Sequence, residues 1–479
     1  MFFLKDARGP HSVGATRCAI PLEKPIIAGN ANIPGQDEAG IRLEEVSFTM
    51  FYPTSVPSGS RKYRKGLRWL TGPLQTEIAG LAHFAGVSRW MIWLILAPFM
   101  YAYGQFIKIP VYQDAPLLYP SEEGVKWPLV IFSHGLGGSP TTYSQLCTRL
   151  AASGKIVIAM EHRDGTMPSC IAPYKGRHRP LLYIKESEVT WMEKPQDALP
   201  LRVDQLNIRQ HEIYTTYTAF TKLVHEDTNI GPSIHFSTAD IKNTWYDAHI
   251  NVGDICLAGH SFGGCTIFSI LSSKPPMSSE AKPYPRIPVR DTLILDPWLE
   301  PLPSPGPTPF SAVGVVDNSA AVVSDRLNEN SESSGNALNN MVDNTGHNFP
   351  RLLVINSEAF TLWTSHFERL AEVVKNWGTD AKLITLLKSA HTSFSDYHVF
   401  PFIGNKASVR LIDIIAKLSL AFLNNPRTSW CSEEDLKSNE SNVPVEILYT
   451  MPEKVVIGKW EDGSNRHKLV GEMGQVVLH

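Results

Sequence analysis

Asp254-Ile-Cys-Leu-Ala258 runs directly into Gly259-His260-Ser261-Phe262-Gly263, and this stretch decides the fold. Its first half is a short, continuous apolar run, the mark of a strand buried on both faces. Its second half matches G-x-S-x-G, and Cys265–Ser272 continues in a helical pattern. Strand, sharp turn and helix are the context in which that motif has a mechanical meaning. Gly259 and Gly263 let the backbone turn tightly and let the helix pack close. Ser261 is thereby presented at a helix N-terminus, where the dipole favours negative charge. The bland alternative is an ordinary glycine-rich connection between a strand and a helix.

The pattern repeats outward from that point. Apolar strands are expected at Trp127–Ser133, Lys155–Met160, Thr292–Leu295, Leu352–Ile355 and Lys382–Leu387. Helical patterns occupy Tyr143–Ala152 and Val409–Leu423. Near-continuous apolar strands separated by helices imply an α/β fold: a mostly parallel central sheet with helices on both faces. Pro303–Asn348 is rich in Ser, Asn, Gly and Pro and reads as a disordered surface insertion. Residues 426–479 are polar with a few Val and Ile positions and read as a peripheral C-terminal tail. A length of 479 residues suggests about three domains at ~150 residues each. The periodic elements instead support one decorated domain over 1–425.

Composition excludes several classes. Hydrophobic residues are 43% and charged residues 19%, which is globular and rules out wholesale disorder. The net charge of −3 gives no global electrostatic reason to bind nucleic acid. Cys18, Cys147, Cys170, Cys256, Cys265 and Cys431 form no CxxC pair, which fits neither a zinc ribbon nor a disulfide scaffold. The apolar start MFFL is too short for the core of a signal peptide, so the expected location is cytoplasmic. The sequon at Asn439 reads as chance in such a chain.

The chemistry-bearing residues fall at strand ends. His134-Gly135-Leu136-Gly137-Gly138 follows the strand ending at Ser133, where an α/β-hydrolase places an oxyanion donor. The N–H groups of Leu136 and Phe262 are the candidate donors; a plain glycine turn is the alternative. A serine nucleophile needs a base, and the base needs an orienting carboxylate. His391, after the strand Lys382–Leu387, is the candidate base. Asp296, after Thr292–Leu295, is the candidate acid. Glu358 in VINSE is its rival, and position favours Asp296. His162 in EHRD also ends a strand but precedes the serine, and reads as structural. No HExxH or EF-hand loop is present, and His211-Glu212 lacks a second His at helical spacing, so no metal is expected.

Trp90–Tyr103, WMIWLILAPFMYAY, is the longest apolar run. A spanning helix needs about 20 residues, so the segment at about 88–104 is too short to cross a bilayer. It is either a buried core helix or an interfacial helix. Bracketing aromatics and upstream Arg61, Lys62, Arg64, Lys65 and Arg68 suit the second reading.

Taken in order, SHGLGG, AMEHRD, AGHSFGG, LDPW, VINSE and AHTSFSDY resemble the platelet-activating-factor acetylhydrolases, the group VII phospholipases A2. The resemblance runs from Gly9 to about Leu423, apart from the insertion. It implies an α/β-hydrolase fold and a calcium-independent serine esterase without a cofactor. The implied substrates are phospholipids with acetyl, short or oxidised sn-2 chains, and the implied partner is a peripheral membrane surface. The family's triad matches Ser261, Asp296 and His391, which favours Asp296 over Glu358; its oxyanion donors match Leu136 and Phe262. Its membrane-contacting segment precedes the HGLG strand, which points to Trp90, Trp93, Leu94 and Phe99. Trp298 is expected to flank the acyl pocket. The chain departs from the family at Thr392, where relatives have Gln, at Gly138-Ser139-Pro140, and in the insertion, which leaves acyl-length preference open. A generic carboxylesterase or lipase, and a non-catalytic binding protein on the same fold, are the alternatives.

Overall fold

The computed structural model describes residues 2–57, 59–60, 63, 65–193, 195–225, 234–237, 245, 248–278, 281–304, 306–309, 349–401, 404–425, 444–459 and 463–479. Ten strands frame the domain: β1 Ser12–Ala28, β2 Ile41–Thr54, β3 Trp127–Ser133, β4 Ile156–Glu161, β5 Ile250–His260, β6 Val289–Leu295, β7 Arg351–Ser357, β8 Ala381–Leu386, β9 Glu446–Leu448 and β10 Gln475–Leu478. They lie in one sheet in the order β1-β2-β4-β3-β5-β6-β7-β8-β10-β9. β2 is antiparallel to β1 and β4, and the run β4-β3-β5-β6-β7-β8 is parallel throughout. This is the α/β-hydrolase arrangement, with the sharp turn and helix following β5.

Six helices pack on the sheet: α1 Leu74–Ala85, α2 Ser144–Ala152, α3 Pro200–Val224, α4 Phe262–Ser272, α5 Thr364–Trp377 and α6 Lys406–Asn424. The strand sequences explain why both faces are covered. Alternate residues point to opposite faces. Leu129, Ile131, Ile158 and Leu257 enter one core with residues of α3, α4 and α5. Val130, Phe132, Val157 and Ala258 enter a second core with residues of α1, α2 and α6. The central parallel strands β3, β4 and β5 therefore carry apolar side chains on both faces, whereas β2 alternates, as in Ile41-Arg42-Leu43-Glu44 and Val46-Ser47-Phe48-Thr49-Met50.

One expectation needs correction, and a second cannot be compared with the described residues. The peripheral tail is partly integral: β10 pairs antiparallel with β8, and Val476 and Val477 are buried. The physical reason is that β8 would otherwise be an exposed sheet edge, which a short Val-rich strand covers. The disordered insertion falls largely on 310–348, which lies outside the described residues.

The segment at 88–104 is helical, with a wide π-helical turn over Ile92–Leu96. Pro98 lacks an N–H and cannot bond back to Leu94, which loosens the helix at this point. Ile92, Ala97 and Met100 are buried, whereas Trp90 and Leu94 are each 67% exposed. Among the described residues no helix is long and apolar enough to cross a membrane.

Candidate active site

Ser261 sits at the turn between β5 and α4 with φ 56° and ψ −120°, in a region non-glycine residues avoid. The surrounding bonds hold it there. Its N–H donates to Leu295 O at 2.9 Å, and its carbonyl accepts from Cys265 N at 3.0 Å and Trp298 N at 3.2 Å. Glycine is required on both sides. A Cβ on Gly263 would stand 2.0 Å from Ser133 O, and one on Gly259 would stand 2.4 Å from Gly263 O.

The loop after β8 brings His391 over the serine. Its Nε2 lies 2.9 Å from Ser261 Oγ, and its Nδ1 lies 3.0 Å from Asp296 Oδ2. Asp296 follows β6, also has a positive φ (44°), and is fully buried. Its carboxylate accepts from Ser357 N and Ser357 Oγ, both at 2.5 Å. With its carbonyl accepting from Thr361, the Asn356 amide adds a donor to Asp296 Oδ1 at 2.9 Å. The Phe360 ring lies flat on His391, centroids 4.2 Å apart at 3°. Glu358 is engaged elsewhere: it accepts from Lys388 N at 2.8 Å and Leu469 N at 3.0 Å, clamping the β10 side to the histidine loop.

The loop Gly135–Gly138 closes the other side. A Cβ on Gly135 would come within 2.8 Å of Ser261 Cβ, so only glycine lets the loop touch the serine. Gly137 N donates to Thr166 O at 2.8 Å, and Gly137 O accepts from Tyr397 OH at 3.1 Å. The N–H groups of Leu136 and Phe262 have no protein acceptor among the described residues. Phe262 is the first residue of α4, where an unpaired donor is expected. The Trp298 ring packs 6.0 Å from Phe262. A serine–histidine–carboxylate chain beside two unengaged N–H groups is an arrangement suited to acyl transfer.

A second serine–histidine–carboxylate chain lies beneath. Ser133 Oγ is 2.7 Å from His162 Nε2, and His162 Nδ1 is 2.5 Å from Glu212 Oε2. All three are fully buried, so no ester can reach them. Burial holds His162 well below, and Glu212 well above, its ordinary titration range. The sequence reading of His162 as structural agrees with this placement. His134 also turns inward: Nδ1–H donates to Gly135 O at 2.8 Å, and Nε2 accepts from His162 N at 3.3 Å. Its burial lowers it to about 3.

Sequence reasoning missed Arg209 on α3, which is fully buried under the loop. Its Nε donates to Asp164 Oδ2 at 2.7 Å, Nη1 to His134 O at 2.7 Å and Nη2 to Thr166 Oγ1 at 2.6 Å. Its guanidinium stacks 4.6 Å from the Phe262 ring centre. Phe360 and Asn356 were missed as well, although Asn356 lies within VINSE, where only Glu358 was weighed.

Ligand atoms of His260, Asp296 and His391 lie within 4.8 Å of one another. These groups are committed to hydrogen bonds: His391 Nδ1 to Asp296, and His260 Nδ1 and Nε2 to Tyr143 OH and His391 O. The cluster is not preorganised for a metal.

Beside the site, Phe84 on α1 touches the loop Gly135–Gly138; a Cβ on Gly137 would come within 2.4 Å of its ring. Phe84, Trp90, Met91, Leu94, Tyr101 and Tyr103 are exposed. Phe99 differs from expectation. It packs against the core and the Tyr103 ring at 5.7 Å, because it lies roughly 140° round a helix from Leu94. The side chain of Trp93, and residues Arg61, Lys62 and Arg64, lie outside the described residues. Lys65 pairs with Asp6 at 3.1 Å.

The sequence matches the profile of a family described as platelet-activating factor acetylhydrolase, isoform II, over residues 3–306. That span includes Leu136, Ser261, Phe262 and Asp296; His391 lies beyond it and is brought in by its hydrogen bonds. The chain is similar to the platelet-activating factor acetylhydrolases of Bos taurus (30% identity over 207 residues, 42% of either chain) and Canis lupus familiaris (26% over 358 residues, 71% of this chain and 66% of the other). That of Gallus gallus is 27% identical over 321 residues, covering 63% of this chain and 62% of the other. The matches thus span less than two thirds of these relatives' own lengths. With more than half of its residues inside the profile, this chain belongs to the platelet-activating factor acetylhydrolase, isoform II, family.

Proposed function

We propose that this chain is a calcium-independent serine esterase that hydrolyses the sn-2 acetyl, short or oxidised acyl ester of phospholipids. The observation that carries the reading is the unbroken line Ser261 Oγ–His391 Nε2, His391 Nδ1–Asp296 Oδ2, at 2.9 and 3.0 Å. His391 takes the Ser261 proton as Oγ attacks the ester carbonyl. Asp296 fixes the tautomer and stabilises the imidazolium. The oxyanion is received by the N–H groups of Leu136 and Phe262. Collapse breaks the sn-2 C–O bond, and the His391 proton passes to the departing lysophospholipid oxygen. Water, deprotonated by His391, then releases the acid from Ser261. Trp298 flanks the acyl chain.

A lipid substrate is favoured by the exposed apolar surface beside the oxyanion loop, with Trp90 and Leu94 outermost. We propose that this surface rests on a bilayer and that substrate enters along Phe84. The test is hydrolysis, in EDTA, of phosphatidylcholines with sn-2 chains of two to sixteen carbons, alongside a soluble nitrophenyl ester. Turnover is expected to be highest for the shortest chains and unaffected by EDTA. Turnover of the soluble ester alone identifies a generic carboxylesterase; loss in EDTA rules out the metal-free chemistry.

Membrane contact makes a separate prediction. Burying two large apolar side chains is worth about 1.5–3 kcal/mol each, so Trp90→Glu with Leu94→Glu should weaken liposome binding by at least roughly 100-fold. Cosedimentation with phosphatidylcholine vesicles measures it. Unchanged binding by the double variant rules out this surface.

A further inference from the structure

We propose that His260, the residue before the nucleophile, is a positioning residue that holds the base His391 by its backbone, a role that rests on the esterase reading above. His260 ends β5 and is almost wholly enclosed. Its Nε2 lies 3.0 Å from His391 O. A carbonyl only accepts, so Nε2 carries the proton. A neutral imidazole then has a lone pair on Nδ1. That lone pair faces Tyr143 OH at 2.8 Å, which donates to it. Tyr143 O in turn accepts from Gly135 N–H at 3.3 Å. Every donor and acceptor in this chain has one consistent assignment: Gly135 N–H to Tyr143 O, Tyr143 O–H to Nδ1, and Nε2–H to the carbonyl of His391.

The chain joins the three loops that carry the proposed chemistry. Gly135 precedes the oxyanion donor Leu136, His260 precedes Ser261, and His391 is the base. The three are far apart in sequence and have no common secondary structure. Asp296 fixes only the outer edge of the His391 ring. His260 fixes the backbone from which that ring projects, and its ring packs against the His391 ring at 4.5 Å and 34°. Phe394 lies 5.3 Å from His260 and closes the far side. Burial and the neighbouring His391 both hold His260 well below its ordinary range, so it stays neutral. A neutral neighbour is what the mechanism needs: His391 becomes a cation during each turnover, and a second cation beside it would oppose that step. His260 touches no substrate atom and acts through His391.

Substitutions at one position separate the parts. Gln reaches as far as Nε2 and retains the donor to His391 O. Asn reaches only as far as Nδ1 and cannot. Phe retains shape and ring contact with neither bond. A displacement of the base by about 1 Å is expected to cost up to ~100-fold. His260→Phe and His260→Asn should therefore lower kcat on a soluble short-chain ester by roughly 10- to 100-fold, with KM changed less than about threefold. His260→Gln should recover to within about fivefold of the unmodified protein. Tyr143→Phe should lower kcat about three- to tenfold and add nothing further in the His260→Phe background. Circular dichroism and melting temperature check that each variant is folded.

The proposal is overturned if folded His260→Phe keeps kcat within twofold, or if Gln and Asn are equally impaired. Should His260→Phe not fold, Tyr143→Phe decides, and full activity in that variant overturns the proposal. Absence of turnover by the unmodified protein on every ester overturns the esterase reading and this role with it; normal turnover with insensitive variants overturns this role alone.

Discussion

Ser261→Ala is expected to lower kcat for ester hydrolysis by about five to six orders of magnitude, with KM little altered. The size follows from how the residues act as a unit. Without Oγ, His391 has no proton to remove, and Asp296 orients a base that serves nothing. What remains is binding and the pair of N–H donors, and such remnants retain roughly 10³- to 10⁴-fold over water. Stability should barely change, because among the described residues Ser261 Oγ has one hydrogen-bond partner, His391 Nε2, at 2.9 Å. The backbone bonds that hold the strained turn come from Leu295, Cys265 and Trp298 and do not involve the side chain. Rates measured on a short-chain ester with purified variant decide this. A residual rate above about one thousandth of the original would mean that another nucleophile does the chemistry.

Arg209→Met is expected to destabilise the fold by about 3–5 kcal/mol. Arg209 and Asp164 are fully buried and 2.7 Å apart, so removing the cation leaves an uncompensated buried carboxylate. The same change frees His134 O and removes the cation from the Phe262 face. Both lie on the walls of the site, so the loss should extend to activity at temperatures where the protein is still folded. Asp164 also accepts from Thr166, whose carbonyl holds Gly137, so the loop moves with the pair. Urea unfolding followed by fluorescence measures the stability term. A shift below about 1 kcal/mol would show that the buried network is dispensable. Adding Asp164→Asn should restore part of the loss, since the orphaned charge is removed together with its partner.

The parallel half of the sheet was legible because its strands contain short, continuous apolar runs. The first two strands were not. β1 carries Pro21 and Pro25 and alternates irregularly between buried and exposed positions, so it has neither the continuous apolar run nor a clean period of two. α3 was missed for a related reason. Arg202, Gln205, Arg209, Gln210 and Glu212 are buried along its 25 residues, where an amphipathic pattern would place apolar side chains. These polar groups have partners only once the chain has folded, so periodicity cannot reveal them. Of the proposed triad, Ser261 was legible from its motif and His391 from its place after a parallel strand, while position only favoured Asp296 over Glu358 and the family resemblance chose between them. The supports of the triad were not legible. Tyr143 and His260 are 117 positions apart, and Arg209 lies 75 from the carbonyl it holds. β10 escaped notice because four residues near the end of a polar stretch give no periodic signal; only the open edge of β8 gives them a place.

The central claim is that Ser261 is an activated nucleophile. Incubating the folded protein with a fluorophosphonate and mapping the adduct by mass spectrometry tests it most directly. The account predicts one adduct per chain, on Ser261, with none on the enclosed Ser133 and none in Ser261→Ala. Labelling on any other residue, or no labelling of Ser261 in the folded protein, would contradict it.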